Sequence, residues 1–194
     1  MSLQRRLPTP AEPTRFLYLG RLTPEKNVDL LIRAIGEIES RQGDMDPASL
    51  GAAELWIAGD GPERARLERL VAQAGLQERV RFLGMQSRIR PLFEHCQALV
   101  MASDYEGLPM AVLEAGASAM PVIAPPVGGL PAVLDDGCGY LVESPSLAEA
   151  MLRVMRDPVA SQQVGARLRA RVESRFSMRH CLDRHIELYQ AVLR

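Results

Sequence analysis

The sequence predicts an α/β protein built on a doubly wound parallel sheet of about six strands, with helices on both faces. Two observations predict this class. From Arg15 onward, short apolar runs alternate with segments of helical period, and turns containing glycine follow several of these runs. The 194 residues, of which 47% are hydrophobic and 24% charged, can form a core that needs neither disulfides nor a metal ion.

Each expected strand is a short apolar run bounded by turn residues, and each expected helix carries an apolar stripe at helical spacing. The strands are FLYL (16–19), ELWIA (54–58), VRFL (80–83), ALVMA (98–102), PVIA (121–124) and GYLV (139–142). The helical stretches are 28–38, 67–74, 146–156, 159–174 and 177–193. The last three follow the sixth strand with no strand between them, so we expect this helical tail to pack against something beyond the sheet.

The chain divides into a short leader and one domain. Residues 1–13 are rich in proline and charge and are interpreted as a mobile leader or the stub of a linker, which leaves 14–194 as the domain. The segment 41–53 is turn-rich and aperiodic, which predicts a variable loop between the first helix and the second strand.

Charge and cysteine content exclude several classes of protein. The formal net charge of −1 provides no basic field, so no nucleic-acid partner is expected. No apolar run approaches the length of about 20 residues that spans a bilayer, and the N-terminus lacks the apolar core of a signal peptide. Three widely spaced cysteines favour a reducing, cytoplasmic location. They are Cys96, Cys138 and Cys181.

One helix face near the C-terminus is basic. It is formed by Arg167, Arg169, Arg171 and Arg175. Such a face is most often simply solvated, but it leaves open a peripheral association with the inner face of a membrane.

The first strand ends in the turn GRLTPEKN, which carries two cations beside an expected helix start. Gly20 permits a tight turn, Thr23 is expected to cap the helix, and Pro24 suits its first position. Arg21 and Lys26, the only lysine in the chain, would repel each other unless an anion or a carboxylate joined them. They form a candidate diphosphate clamp. The alternative is that Arg21 pairs with an acid and Lys26 is solvated.

The fourth strand ends in SDYEGLPMAVLEA, which places Glu106 in a loop and Glu114 inside the following helix. Pro109 is expected to be the first helical residue, so that backbone amides near Gly107, Leu108 and Met110 point toward an anion. A carboxylate can accept hydrogen bonds from two adjacent sugar hydroxyls. Two such acceptors flanking an anion-binding helix start suit a nucleotide sugar.

The alternative interpretation is that Glu106 only stabilises the helix dipole and that Glu114 is a surface residue. The helix around Glu114 is unusually apolar, however, and an unpaired carboxylate would be costly there, which favours a ligand. Two other turns are weaker signals. AGDGPE after the second strand is ordinary helix-entry chemistry. Gly84 after the third strand would let a flat group approach the backbone, but glycine is common there.

In order and spacing these motifs resemble the C-terminal half of retaining GT-B glycosyltransferases of the large family-4, or group 1, class. The matching segments are GRLTPEKN, AGDGPE, VRFLG, the E-x7-E motif from Glu106 to Glu114, PVIAPPVGG and DDGCGYLV. The resemblance runs from Phe16 to the end of the chain. It implies a Rossmann-like domain that binds the donor nucleotide sugar, with the N-terminal, acceptor-binding half absent.

The resemblance implies catalytic and binding roles for the charged residues. Arg21 and Lys26 would hold the donor diphosphate and neutralise charge on the departing nucleotide. Glu106 would contact the transferred sugar, and Glu114 would bind the ribose hydroxyls.

Backbone groups have implied roles as well. Those of Gly107, Leu108 and Pro109 would assist at the sugar and phosphates, although Pro109 has no N–H to donate. Those of Phe82, Leu83 and Gly84 would face the base.

The implied reaction transfers a hexose from a UDP-, GDP- or ADP-sugar to an acceptor glycan or lipid-linked sugar, with retention at the anomeric carbon and without a metal ion or other cofactor. Cell-envelope polysaccharide assembly is the commonest role in such families. The segment 177–193 would cross onto the absent half, without which the domain is expected to be nearly inert. His180 and His185, five residues apart, are interpreted as structural.

Two positions depart from the family pattern. Ala132 stands three residues after the Gly-Gly turn, where an acidic residue is usual, and Ala119 stands where a glycine commonly ends the helix. Neither position touches the E-x7-E pair.

Two other hypotheses remain open from the residues, and a third is disfavoured. A sugar-nucleotide epimerase or hydrolase of GT-B type would share the fold. A glycosidase would also use paired carboxylates but would have no use for the Arg21 and Lys26 clamp. A non-catalytic module could bind an anion or a partner through the arginine-rich tail.

Overall fold

The structure is a computed structural model that describes residues 12–42 and 51–193. Most of the expected leader, residues 1–11, and the central part of the expected loop, residues 43–50, lie outside the described residues.

A six-stranded parallel sheet forms the centre of the domain, in the order β3-β2-β1-β4-β5-β6. The strands are β1 (Thr14–Leu19), β2 (Ala53–Ala58), β3 (Val80–Gly84), β4 (Ala98–Val100), β5 (Val122–Ala124) and β6 (Tyr140–Leu141). Every expected strand is confirmed with bounds that differ by at most two residues. The doubly wound parallel sheet predicted from the sequence is therefore confirmed.

Helices connect the strands and extend beyond the last one. They are α1 (Val28–Gln42), α2 (Arg64–Gln73), α3 (Arg90–His95), α4 (Met110–Ala117), α5 (Leu130–Leu134), α6 (Leu147–Arg156), α7 (Pro158–Arg175) and α8 (Met178–Val192). Short 3₁₀ turns lie at Pro24–Lys26 and Ser144–Ser146. The sequence did not predict α3 or α5, because helices of six and five residues are too short to show a stripe.

The sheet has an apolar core on each face, and consecutive side chains of β1 pack into opposite cores because strand side chains alternate between the two faces. Phe16 and Tyr18 pack with α1, α2 and α6 on one face. Leu17 packs with α3, α4, α5 and α7 on the other. The strands are consequently buried on both sides, which is why they read as continuous apolar runs.

The expected packing of the helical tail is wrong for two of its three helices. Helix α6 packs on α1, and α7 packs on α4. The α4–α7 contact is close, since a Cβ at Gly116 would lie 2.7 Å from Cγ2 of Val172. Among the described residues of this tail, those of α8 are not buried, and α8 exposes large apolar side chains. These are Met178, Leu182, Ile186, Leu188, Tyr189 and Val192.

The end of α4 explains the departure at Ala119. The N–H of Met120 donates to the carbonyl of Ala115 at 2.8 Å, and the N–H of Ala119 donates to that of Gly116 at 2.8 Å. This is a Schellman motif, in which the residue after the cap takes a left-handed conformation. Ala119 has φ of 53°, a conformation that costs an L-residue free energy and that glycine adopts freely.

We expect Ala119→Gly to raise the free energy of unfolding by about 1 kcal/mol, because it removes left-handed strain at the helix end. Urea unfolding of the two proteins measures the difference. The control is Ala117→Gly, two residues earlier in the last turn of α4, which should lower stability by about 0.5–1 kcal/mol. Equal effects of the two glycines would contradict the explanation.

Candidate functional site

Two adjoining clefts open at the carboxyl edge of the sheet, where the strand order reverses between β1 and β4. The loops that follow these strands lead to opposite faces of the sheet and leave a crevice, the usual ligand position in such folds. The Glu106 cleft, of about 410 Å³, is lined by residues that include Tyr18, Gly20, Arg21, Lys26, Glu106 and Pro109. The Glu114 cleft, of about 360 Å³, is lined by residues that include Gly20, Arg21, Gly59, Met85, Gln86, Ile89 and Glu114.

Lys26 and Glu106 meet across the Glu106 cleft. The Nζ atom of Lys26 lies 2.7 Å from Oε1 of Glu106, and Glu106 is only 8% exposed. The hydroxyl of Ser103 donates to the same Oε1 atom at 2.7 Å. Lys26 is therefore joined to a carboxylate, and the alternative that it is solvated is wrong.

Backbone contacts fix the distance between these two charges. The N–H of Asp104 donates to the carbonyl of Glu25 at 3.0 Å, and the side-chain amide of Asn27 donates to the carbonyl of Ala102 at 3.2 Å. These bonds fasten the 3₁₀ turn that carries Lys26 to the loop that carries Glu106.

The expected capping role of Thr23 is wrong. Its hydroxyl donates to Oε1 of Glu25 at 2.6 Å instead of to a helix-start N–H. This bond lowers the pKa of the Glu25 carboxyl, with help from the backbone and the nearby cations. Pro24 begins a 3₁₀ turn, and α1 itself begins at Val28. Arg21 precedes this short turn and Lys26 is its last residue, so the two cations do not lie on either side of an α-helix start.

Arg21 borders both clefts and is exposed. Within residues 12–42 and 51–193 its guanidinium forms no ion pair, so the alternative of a pairing acid finds no support there. The hydroxyl of Tyr18 donates to the Arg21 carbonyl at 2.6 Å and fixes the turn. Burial raises the pKa of the Tyr18 hydroxyl, and the charges of Glu106 and Glu25 raise it further, so the group remains a donor.

The Gly-Gly turn of PVIAPPVGG packs directly against the backbone of the loop that carries Glu106. The N–H of Gly129 donates to the carbonyl of Gly107 at 2.7 Å. Gly128 has φ of +55°, and a Cβ there would lie 1.6 Å from the carbonyl oxygen of Glu106. The backbone can approach this closely only because the residue has no side chain. Ala132 lies within α5.

Pro109 is the N-cap of α4, with an extended ψ of 126°, and the helix begins at Met110. The expectation that Pro109 would be the first helical residue is therefore wrong by one position. An extended residue before a helix fits the capping position, where backbone angles are not yet helical. Gly107 and Leu108 lie in the exposed loop before it.

Glu114 lies on α4 and borders the other cleft. It is half-buried, and in the described part of the chain its carboxylate has no hydrogen-bond or ion-pair partner. Desolvation raises the pKa of this carboxyl. The two glutamates therefore differ: Glu106 is held by two protein donors, whereas Glu114 is available to donors from a ligand.

The expected base-facing segment lies at the end of β3, and its carbonyls are occupied. The carbonyl of Leu83 accepts from Nε2 of Gln86 at 2.7 Å, and that of Gly84 accepts from the N–H of Gly59 at 2.8 Å. Phe82 is half-buried against the core that includes α1.

The cleft wall at this end is formed by the following residues, Met85, Gln86 and Ile89. Sequence reasoning missed these three residues. Their only signal was their position after a strand-ending glycine.

The basic face of α7 is partly used within the domain. Nε of Arg167 donates to the carbonyl of Gly137 at 2.8 Å, and Arg171 donates to the carbonyl of Asp135 and pairs with Asp136 at 2.8 Å. Arg169 pairs with Glu173 at 2.7 Å. The interpretation of this face as merely solvated is therefore wrong for Arg167 and Arg171, which hold the turn after α5.

Within residues 12–42 and 51–193, no group of three or more histidine, cysteine or acidic side chains is arranged to hold a metal ion. His180 and His185 are both exposed on α8, where Nδ1 of His185 lies 2.7 Å from the carbonyl oxygen of Cys181. None of the helices in these same residues is long and apolar enough to cross a bilayer.

The strand order, with clefts at its switch point, defines a Rossmann-like domain of the kind that forms the C-terminal half of a GT-B fold. Residues 2–171 match the family described as glycosyl transferases group 1, and the chain belongs to that family.

Relatives of this chain are glycosyltransferases about twice its length. Alpha-D-kanosaminyltransferase of Streptomyces kanamyceticus is 29% identical over 182 residues, which cover 91% of this chain and 45% of that protein. The lipopolysaccharide core biosynthesis glycosyltransferase LpsD of Rhizobium meliloti is 30% identical over 187 residues, covering 94% and 51%. D-inositol 3-phosphate glycosyltransferase of Nocardia farcinica is 33% identical over 196 residues, covering 95% and 42%.

Solved structures share the fold. Sucrose-phosphate synthase of Thermosynechococcus elongatus matches with a TM-score of 0.80 and 29% identity, covering 96% of this chain and 47% of that one. HepE of Anabaena in complex with UDP matches with a TM-score of 0.80 and 23% identity, covering 92% and 49%. The chain spans about half the length of these proteins.

We expect Glu114→Gln to be more stable than the wild-type protein at neutral pH. Because burial raises the pKa of the Glu114 carboxyl above its ordinary 4.5, the folded protein loses stability as the pH rises through that raised value. Glutamine keeps the shape and avoids the loss. Urea unfolding from acid to neutral pH should show the gain vanish as the pH falls toward 4.5. The exposed control Glu143→Gln should show no such trend, and a pH-independent gain for Glu114→Gln would contradict the explanation.

We expect Gly128→Ala to lower the free energy of unfolding by about 2–4 kcal/mol, the sum of left-handed strain and a backbone clash. The matched control is Gly75→Ala. Gly75 has φ of +69° but open space around its Cβ position, so alanine there carries the strain alone. Urea unfolding should separate the two variants, and equal losses would mean that the contact with Glu106 has no energetic weight.

Proposed function

We propose that this domain is the donor-binding half of a glycosyltransferase that moves a hexose from a nucleoside-diphosphate sugar to an acceptor with retention at the anomeric carbon. The observation that carries the proposal is the order of groups along the two adjoining clefts. Glu106 and Lys26 lie at one end, the guanidinium of Arg21 borders both clefts, and the carboxylate of Glu114 lies at the other end. A nucleotide sugar presents hydroxyls, diphosphate and hydroxyls in the same order.

Each end of the clefts suits one part of the donor. Glu106 accepts hydrogen bonds from hydroxyls of the transferred sugar, and Glu114 accepts those of the ribose, since a carboxylate is an acceptor only. Arg21 and Lys26 bind the diphosphate between them by charge-assisted bonds. The backbone of Gly107, Leu108 and Pro109 lies beside the sugar and phosphates. The base lies toward the end of β3, near Phe82, Leu83 and Gly84, and against Met85 and Gln86.

In this proposal catalysis consists of stabilising the leaving group. When the bond between the anomeric carbon and the phosphate oxygen breaks, negative charge grows on the diphosphate. Arg21 and Lys26 already lie beside that position, and preorganised charges of this kind stabilise the transition state without reorganisation. Two cations can take the place of a metal ion at the leaving group, which supports a metal-independent, cofactor-free reaction.

The rest of the enzyme is proposed to lie beyond this chain. The relatives are about twice as long, and α8 exposes an apolar stripe that includes Leu182 at 55%, Ile186 at 52% and Tyr189 at 64% exposure. Exposed apolar surface of this kind marks an interaction site. We place the acceptor-binding half against α8, and we expect the isolated domain to bind donor but to transfer little, because acceptor placement and water exclusion are missing.

The acceptor and the location are proposed from the relatives. LpsD is named for lipopolysaccharide core biosynthesis, which supports an acceptor glycan or lipid-linked sugar of the cell envelope. The enzyme would then act in the cytoplasm, at the inner face of the membrane.

Titration calorimetry of the domain with UDP, GDP and ADP tests the proposal. UDP is the first choice because HepE was solved with UDP. We expect one nucleotide to bind preferentially, and Glu114→Ala and Lys26→Ala each to weaken its binding by about 1–3 kcal/mol, the scale for hydrogen bonds to charged groups.

Two exposed residues away from the clefts provide charge-matched controls. Glu143→Ala and Arg184→Ala should leave the affinity unchanged, because neither residue borders either cleft. Binding that is insensitive to Glu114→Ala would indicate a non-catalytic anion-binding module instead. Product analysis with the two-domain enzyme distinguishes transfer from epimerisation of the nucleotide sugar.

A further inference from the structure

Ser103 is a buried polar residue in contact with Glu106, and the proposed roles do not include it. It is 2% exposed, and its hydroxyl donates to Oε1 of Glu106 at 2.7 Å. Lys26 binds the same oxygen at 2.7 Å. The other oxygen, Oε2, accepts no hydrogen bond from residues 12–42 and 51–193, yet it is not sealed from solvent. The carboxylate therefore has one anchored oxygen and one free oxygen.

The backbone on either side of Ser103 is fixed. The carbonyl of Ala102 accepts from Asn27, and the N–H of Asp104 donates to the carbonyl of Glu25. Both partners belong to the loop that carries Lys26. The backbone position of Ser103 is therefore fixed, and so is the point from which its hydroxyl reaches Glu106.

Lys26 and Ser103 both donate to Oε1, but binding of the nucleotide sugar affects the two hydrogen bonds differently. In the proposed function the Lys26 ammonium also binds the diphosphate, so its three N–H groups are shared between phosphate and carboxylate. The hydroxyl of Ser103 is buried and donates its single hydrogen to Oε1. It is the contact that persists while Lys26 turns toward the phosphates.

We infer that Ser103 is a positioning residue for Glu106: its hydroxyl holds Oε1 so that Oε2 stays directed at the hydroxyls of the transferred sugar. The inference rests on the proposed function and adds a residue to it. Ser103 does not touch the donor. Its contribution concerns the sugar and not the nucleotide, because it acts through its hydrogen bond to Glu106.

A role toward the sugar alone predicts that Ser103→Ala affects the binding of UDP and of UDP-glucose differently. UDP lacks the sugar, so Ser103→Ala should change its dissociation constant by less than about twofold. UDP-glucose carries the sugar, and its dissociation constant should rise by about tenfold, close to the lower end of the range for a hydrogen bond to a charged group. In a Glu106→Gln background, Ser103→Ala should not change the dissociation constant of either ligand any further. A double-mutant cycle gives this result when one residue acts through the other, as Ser103 is inferred to act through Glu106.

A second buried serine provides the matched control. Ser161 is 3% exposed, and its hydroxyl lies 3.0 Å from that of Tyr140, outside both clefts. Ser161→Ala removes a comparable buried hydrogen bond and should lower stability without changing the ratio of the two dissociation constants. Urea unfolding of both variants establishes that the comparison is made between folded proteins.

The outcomes separate this inference from the proposed function. Selective loss of UDP-glucose affinity that disappears in the Glu106→Gln background supports the positioning role. Equal loss for both ligands, no loss for either, or the same selective loss in Ser161→Ala overturns it while the donor site stands. Failure of the wild-type protein to bind either ligand overturns the UDP-sugar donor site, and the role of Ser103 with it.

Discussion

Close contact between backbone turns at the carboxyl edge of the sheet holds the site together. A Cβ at Gly128 would lie 1.6 Å from the carbonyl oxygen of Glu106, and one at Gly59 would lie 1.8 Å from that of Gly20. At both places a strand-end turn rests directly on the backbone of another, and no side chain larger than hydrogen fits between them. The charged residues of the clefts are presented from these turns, so their geometry depends on backbone contact more than on side-chain packing.

This rigidity allows the site to keep charges that would otherwise be unfavourable. Glu106 is nearly buried, but Lys26 and Ser103 satisfy one of its oxygens, which offsets much of the desolvation cost. In the described residues Glu114 has no such partner, and burial raises the pKa of its carboxyl by disfavouring the charged form. A ligand that donates hydrogen bonds would relieve this cost. The charged carboxylate of Glu114 therefore lowers the stability of the free domain but favours the binding of a nucleotide sugar.

Most of the fold could be read from local pattern. The six apolar runs became six strands, because strands buried on both faces need continuous apolar sequence. Errors occurred where side-chain bonds, some local and some tertiary, override the role that a residue type usually has. Thr23 binds the Glu25 carboxylate in place of a helix-start amide, and Arg167 and Arg171 bind the turn after α5. Short helices such as α3 left no periodic signal, and Met85 and Gln86 are ordinary surface residue types whose place in a cleft wall has no local signature.

The sequence by itself determined the strands, the main helices, the family resemblance and the candidate residues Arg21, Lys26, Glu106 and Glu114, because these depend on composition and spacing along the chain. Only the tertiary structure decided which of them meet. Lys26 and Glu106 are 80 residues apart in sequence, and they touch because β1 pairs with β4 at the switch point of the sheet. Strand order follows from how the helices cover both faces, a property of the whole packed chain, and no local stretch of sequence contains it.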